Sequence, residues 1–164
     1  PGKPAAKSKP AANAPEIKII KPPLGAYYEA VGPKSITLAG ILGGQTIVAG
    51  PLRISPSPSI SFSALTLTQM LGKSQLLTMV GQVENQGLVW NATRTSVTNQ
   101  WGHGPTVAEG IPAQIVLKTS AGRHVYALDG AGKRASEVPA TYKNGALTFA
   151  VGSEFKTLWY EIAP

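Results

Sequence analysis

The sequence predicts an all-β chain: an antiparallel β-sandwich of about ten short strands, preceded by a disordered basic linker. Three observations predict it. Short apolar runs recur every ~8–12 residues from Glu16 onward, separated by Gly, Pro, Asn and Ser. Several of these runs alternate apolar with polar residues, the period of a half-buried strand. No segment sustains a helical period over enough turns to compete.

The opening stretch PGKPAAKSKPAANAP is rich in Pro, Ala and Lys. It buries too little apolar surface to offset the entropy of ordering, so an extended disordered spacer is expected. Residues 1–22 are assigned to this linker and residues 23–164 to the sandwich domain, although the strand-like pattern already begins at Glu16. A domain of about 140 residues suffices to bury a core. The chain opens on Pro1 rather than an initiator methionine, as expected of a piece of a longer protein.

In SISFSALTL, Ile60, Phe62 and Ala64 alternate with Ser59, Ser61 and Ser63. The expectation is a buried apolar face and a hydroxyl-coated outer one. QLLTMVGQV, Gln75 to Val83, is more continuously apolar and reads as a central strand covered on both sides. AQIVLKT sets Ala113, Ile115 and Leu117 on one face. ALTFAV does the same with Leu147, Phe149 and Val151, and KTLWYEI with Leu158, Tyr160 and Ile162. Asn144-Gly145 is a strong type I′ signal and predicts a hairpin joining Ala140–Lys143 to Ala146–Val151. LDGAGKR, with Asp129-Gly130 and Gly132, suits a second hairpin loop, and AGILGGQ and SPSPS break the earlier strands.

Composition excludes several chemistries. Cysteine is absent, which removes disulfides, zinc–thiolate sites and thiol catalysis. The net charge is +7. Lys3, Lys7, Lys9, Lys18 and Lys21 against Glu16 place +4 of it in residues 1–22, leaving +3 for the other 142 residues. So nearly neutral a domain is not expected to bind nucleic acid. No run of ~20 apolar residues is present to cross a membrane as a helix, and no signal peptide is visible. His103 and His124 lack companions at metal-ligand spacing, so no metal or other cofactor is expected. Serines, His124 and Asp129 supply the inventory of a catalytic triad, but no G-x-S-x-G elbow accompanies them. Glu84 and Glu109 flank one segment and are the pair a glycosidase reading would need.

That segment, VWNATRTSVTNQWGHGPTVAEG (Val89 to Gly110), carries the candidate binding residues. Sugar rings stack their apolar faces on aromatic rings while amides and guanidinium groups hydrogen-bond the hydroxyls. Trp90, Asn91, Arg94, Gln100 and Trp101 offer that set within twelve residues. The competing reading is a packed loop, with the tryptophans filling core and Arg94 tying down backbone carbonyls. The expectation divides them: Trp90 packed, Trp101 exposed in a turn with Gly102, Gly104 and Pro105. Trp159, opposite Tyr160 on its strand, is a further platform candidate or a docking surface. Asn91-Ala92-Thr93 also matches the N-glycosylation sequon.

The stretch VYALDGAGKRASEVPATYKNGALTFAVGSEFKTLWYEIAP, residues 125–164, resembles the C-terminal β-sandwich of large bacterial glycoside-hydrolase-like proteins. Lys156 to Ile162 carries most of the likeness, and Gly145 to Phe149 adds to it. The resemblance implies an accessory module, secreted or at the bacterial cell surface, that binds a plant or microbial polysaccharide or contacts a glycoside hydrolase catalytic domain in the same chain. The catalytic barrel itself is absent from these 164 residues, so no catalysis is inherited. The leading expectation is a non-catalytic carbohydrate-binding module. The alternative is a structural or interaction domain without glycan affinity.

Overall fold

A computed structural model describes residues 15–164. Fifteen strands follow in chain order: β1 (Ile17–Ile20), β2 (Tyr27–Val31), β3 (Ser35–Ile41), β4 (Ile47–Ala49), β5 (Leu52–Pro56), β6 (Phe62–Gln69), β7 (Gln75–Val80), β8 (Val83–Trp90), β9 (Val97–Ala108), β10 (Ala113–Lys118), β11 (His124–Leu128), β12 (Arg134–Val138), β13 (Ala140–Lys143), β14 (Ala146–Val151) and β15 (Trp159–Ala163). The all-β, antiparallel, sandwich-like architecture is as expected. The expected number of strands, about ten, falls short of fifteen. Short strands such as β1 and β4 and the pair β8–β9 make up much of the difference.

An eight-stranded sheet runs in the order β1-β2-β3-β6-β7-β15-β11-β12, and a five-stranded sheet in the order β13-β14-β10-β5-β4. The strands β8 and β9 form a separate two-stranded sheet. Alternation builds the core. Leu52 and Ile54 of β5, Ile115 and Leu117 of β10, and Leu147, Phe149 and Val151 of β14 are buried. So are Ile36 and Leu38 of β3, Leu65 and Leu67 of β6, and Tyr160 and Ile162 of β15, all in one cluster. Each such side chain contributes roughly 1.5–3 kcal/mol on leaving water.

The hairpin β13–β14 has the expected boundaries. Its turn residues Asn144 (φ 52°) and Gly145 (φ 80°) are both left-handed, as a type I′ turn requires. The loop between β11 and β12 is closed by Asp129, whose Oδ1 accepts from the amides of Ala131 (2.9 Å) and Lys133 (2.8 Å).

Three expectations are corrected. In β6 the faces are inverted: Ser63, Leu65 and Leu67 are buried, whereas Phe62 is 54% exposed. The register explains it. Tyr27, Gly40 and Ser63 occupy one inward row, so one large side chain leaves room only for small neighbours. The Ser63 hydroxyl is buried there with no hydrogen-bond partner among the described residues. β7 is central, between β6 and β15, but only Leu77 and Met79 are buried; Leu76, Thr78 and Val80 are half-buried because no third layer covers that face. It ends at Val80, and Val83 opens β8. Finally, Ile17–Ile20 lies inside the range assigned to the linker yet pairs antiparallel with β2, so the domain begins before residue 23. Residues 1–14 of the expected linker lie outside the described residues.

Among the described residues, no helix is long and apolar enough to cross a membrane.

Candidate functional site

Val89–Gly110 is not a loop. It is most of a long hairpin, β8–β9, rooted where Gly81 N donates to Glu109 O (2.9 Å) and Glu109 N donates to Gln82 O (2.8 Å). β8 and β9 pair only with each other. No residue of the two strands is fully buried, because a two-stranded ribbon has no core of its own.

Gly102, Gly104 and Pro105 were expected to form a turn and instead lie within β9. The register slips between Asn85 and Gln86 and again between Leu88 and Trp90, so β9 carries extra residues at two bulges. Between the pairs Gln86–His103 and Leu88–Trp101, Gly87 (φ 76°) faces Gly102 (φ 71°). A Cβ on Gly102 would lie 2.5 Å from Gln86 O and 2.7 Å from Leu88 N, so only glycine fits. Asn85 secures the same turn of ribbon: its Nδ2 donates to Trp101 O (3.3 Å) and its Oδ1 accepts from Thr106 Oγ1 (3.0 Å).

The six predicted residues separate into three groups. Trp90 and Arg94 belong to a polar cluster at the hairpin. Trp90 Nε1 donates to Glu84 Oε2 (2.8 Å), the Arg94 guanidinium stands 5.5 Å from the Trp90 ring centroid, and Arg94 Nη2 donates to Gln82 Oε1 (2.8 Å). Trp90 is thus half-buried against hairpin side chains rather than in the sandwich core. Arg94 holds a side chain, not the backbone carbonyls expected. Asn91 closes the turn between the strands: its Oδ1 accepts from the Thr95 amide (2.9 Å), and its Nδ2 donates to Thr95 Oγ1 (3.1 Å). Its amide is occupied. Trp101 and Gln100 are the pair left facing solvent, and Trp101 is 67% exposed, as expected of it.

Trp159 lies elsewhere, on the outward side of the eight-stranded sheet. Its register partner is Thr78, which pairs with Thr66, which pairs with Thr37. It is 39% exposed. The structure therefore brings Trp90, Arg94 and Glu84 together but does not assemble the six residues into one surface.

Glu84 and Glu109 do approach one depression, on either side of Gln82. Both spend oxygens on the hairpin. Glu84 Oε2 accepts from Trp90 and from Gln82 Nε2, and Glu109 Oε2 accepts from the Gln82 amide (3.2 Å). Sequence reasoning missed Gln82, the residue that links the two, through its side chain to Glu84 and its backbone N–H to Glu109; nothing in its spacing marks it. His103 Nδ1 contacts only its neighbour's carbonyl, Gly104 O (2.7 Å). His124 Nδ1 pairs with Glu137 Oε1 (2.7 Å), and Asp129 is committed to its turn, so these two do not meet as triad members. Among the described residues no three His, Cys, Asp or Glu side chains cluster as metal ligands would.

One carboxyl on the sheet is electrostatically tuned. Arg134 Nε donates to Glu161 Oε2 at 2.7 Å and stacks 4.0 Å from the Tyr126 ring centroid. The hydrogen bond from Arg134 holds the Glu161 carboxyl below the ordinary glutamate range, against the opposing effect of its partial desolvation. A depressed folded-state pKa stabilises the fold above the unfolded glutamate's titration near pH ~4.3. That contribution is lost as pH falls through the folded value. Melting temperature measured from pH 7 down to 2 should fall less steeply below about pH 4 in Arg134→Gln than in the unaltered chain. Identical profiles would contradict the coupling.

A scan against models of known families finds no match to this chain, and comparison with curated proteins and with solved structures finds none either.

Proposed function

We propose that this chain is a non-catalytic accessory module that binds polysaccharide, with Trp101 as its stacking ring. The observation that carries the reading is the 67% exposure of Trp101 on the β8–β9 hairpin. A large ring held out in water costs hydration free energy and is the residue type that anchors binding surfaces. Asn85 Nδ2 donates to Trp101 O, which ties the backbone that carries the ring to the facing strand. Gln100, next to it and solvent-facing, supplies an amide for sugar hydroxyls. The likeness of residues 125–164 to accessory domains of bacterial glycoside-hydrolase-like proteins supports the same class, and with it a secreted or cell-surface location.

The test is retention on a panel of soluble and insoluble neutral polysaccharides. Trp101→Ala is expected to weaken binding roughly thirtyfold, about 2 kcal/mol, with an unchanged melting temperature. The basic tail is controlled with a chain beginning at residue 15, because a cut at residue 22 would also remove β1. Equal retention of the Trp101→Ala chain would defeat the assignment of the ring.

A second reading, a docking domain for a catalytic domain of the same protein, is favoured by a different observation. The outward face of β1, β2, β3, β6 and β7 carries no charged side chain, while Ile17, Ile19, Tyr28 and Phe62 on it are each more than half exposed. Patches of that kind on a sheet mark contact surfaces. Under this reading no glycan is retained at all.

A further inference from the structure

The outward face of the five-stranded sheet belongs to a different sheet from the one that carries Trp101, and its charge is one-sided. Of the side chains that β4, β5, β10, β14 and β13 turn away from the core, three are cations, Arg53, Lys118 and Lys143, and none is acidic. Residues paired in antiparallel register share a face, which fixes their arrangement. Lys118 pairs with Ala146, and Ala146 pairs with Lys143. Two lysines therefore flank a single alanine, about 10 Å apart across two strand spacings. Arg53 pairs with Val116, diagonal to Lys118 at about 7–8 Å.

None of the three cations takes part in an ion pair among the described residues; those pairs involve Arg94, His124 and Arg134. Separations near 10 Å are comparable to the Debye length at physiological salt, so their mutual repulsion is only partly screened. An anion placed between them removes that repulsion. A groove of about 360 Å³ passes Arg53 and Lys118, floored by Val48, Pro51, Val116 and Ala146.

From this cluster we infer that the outer face of the five-stranded sheet binds an anionic polysaccharide, with Arg53, Lys118 and Lys143 meeting its carboxylates or sulfates. The apolar floor suits the C–H faces of hexose rings. The outward Gln114 and Thr148 add an amide and a hydroxyl for uncharged positions. No aromatic side chain points outward on this sheet to stack bases, which disfavours a single-stranded nucleic acid. The inference does not rest on Trp101 and stands or falls separately from it.

The test uses the full chain with dextran sulfate, polygalacturonate and neutral dextran, beside a short DNA oligonucleotide. Binding to one or both anionic glucan and galacturonan probes, weakening as salt rises, is expected. The triple substitution Arg53→Gln, Lys118→Gln, Lys143→Gln should weaken it about tenfold, the combined effect of three exposed charge pairs. Replacing Lys3, Lys7 and Lys9 by glutamine should leave most of it, and Trp101→Ala all of it. Loss that follows the tail lysines instead would overturn the inference. So would an unaltered affinity in the triple variant, tighter binding of DNA through the same three residues, or no retention on either anionic polymer.

Discussion

Phe149→Ala is expected to destabilise the fold by about 3–5 kcal/mol, the largest loss available to a single truncation in this core. Phe149 is 2% exposed and lies on the inward face of β14, opposite Ile115 of β10 on one side and Ala140 of β13 on the other. It is the largest of the fully buried side chains, so its removal leaves the largest cavity facing the eight-stranded sheet. Neighbouring strands cannot collapse into that space, because their hydrogen bonds to β14 fix their separation. Domains of this kind hold a net stability of only about 5–15 kcal/mol, so the loss is a large share of the whole. A guanidinium titration followed by tryptophan fluorescence should show a lower midpoint with an unchanged slope. A change below about 1 kcal/mol would mean that the two sheets do not face each other across Phe149.

Gly43→Ala is the second. Gly43 lies in the turn from β3 to β4, pressed against the Ser57–Ile60 turn that follows β5. A Cβ there would lie 1.7 Å from Ile60 O and 3.0 Å from Ser57 O. Both obstacles are backbone, and both turns are tied down. Gly44 N donates to Pro56 O (3.1 Å), Ile60 N to Ser57 O (3.1 Å), and Gln45 Nε2 to Gly25 O (3.1 Å). Relief requires the turns to separate, which exposes Leu42 and Ile60, now 1% and 5% accessible. The expected cost is about 3 kcal/mol or more, or failure to fold. Gly130→Ala is the control: nothing lies within 4 Å of its added methyl and its φ is not left-handed. Thermal melts of the two should differ by roughly 6–12 °C or more in a domain of this size. Equal melts would show that the turns move freely.

How much was legible in the sequence depends on whether local chemistry or a distant neighbour decides. The β13–β14 hairpin was legible to the residue, because Asn144-Gly145 stores its own geometry. The faces of β10, β14 and β15 were legible because each alternates cleanly over one covered side. The faces of β6 were not. Which of Phe62 and Ser63 turns inward is decided by Tyr27, thirty-six positions away, through Gly40. That β8–β9 is a paired ribbon was not legible, for a related reason. Gly87, Gly102, Gly104 and Pro105 signal turns locally, yet here they are bulge residues inside paired strands. The candidate site was legible in part. Trp101 is exposed as expected, though on a strand rather than in the turn that suggested it, whereas the engagement of Asn91 with its own turn, and of Trp90 with Glu84, depends on side-chain geometry that spacing does not encode.

The place of β15 in the eight-stranded sheet has a kinetic consequence. It sits between β7 and β11, so residues 159–163 join the five strands formed by residues 17–80 to the two formed by residues 124–138. On a ribosome, β1 to β7 emerge early and can pair as neighbours, but the edge of β7 stays open until more than seventy further residues have been made. Closing that sheet is a late, long-range event, the kind that slows folding and leaves an unpaired edge exposed to other nascent chains. A cell making this protein therefore has most to gain from shielding the β7 edge during synthesis, and a stall shortly before residue 159 would be the costliest place to pause.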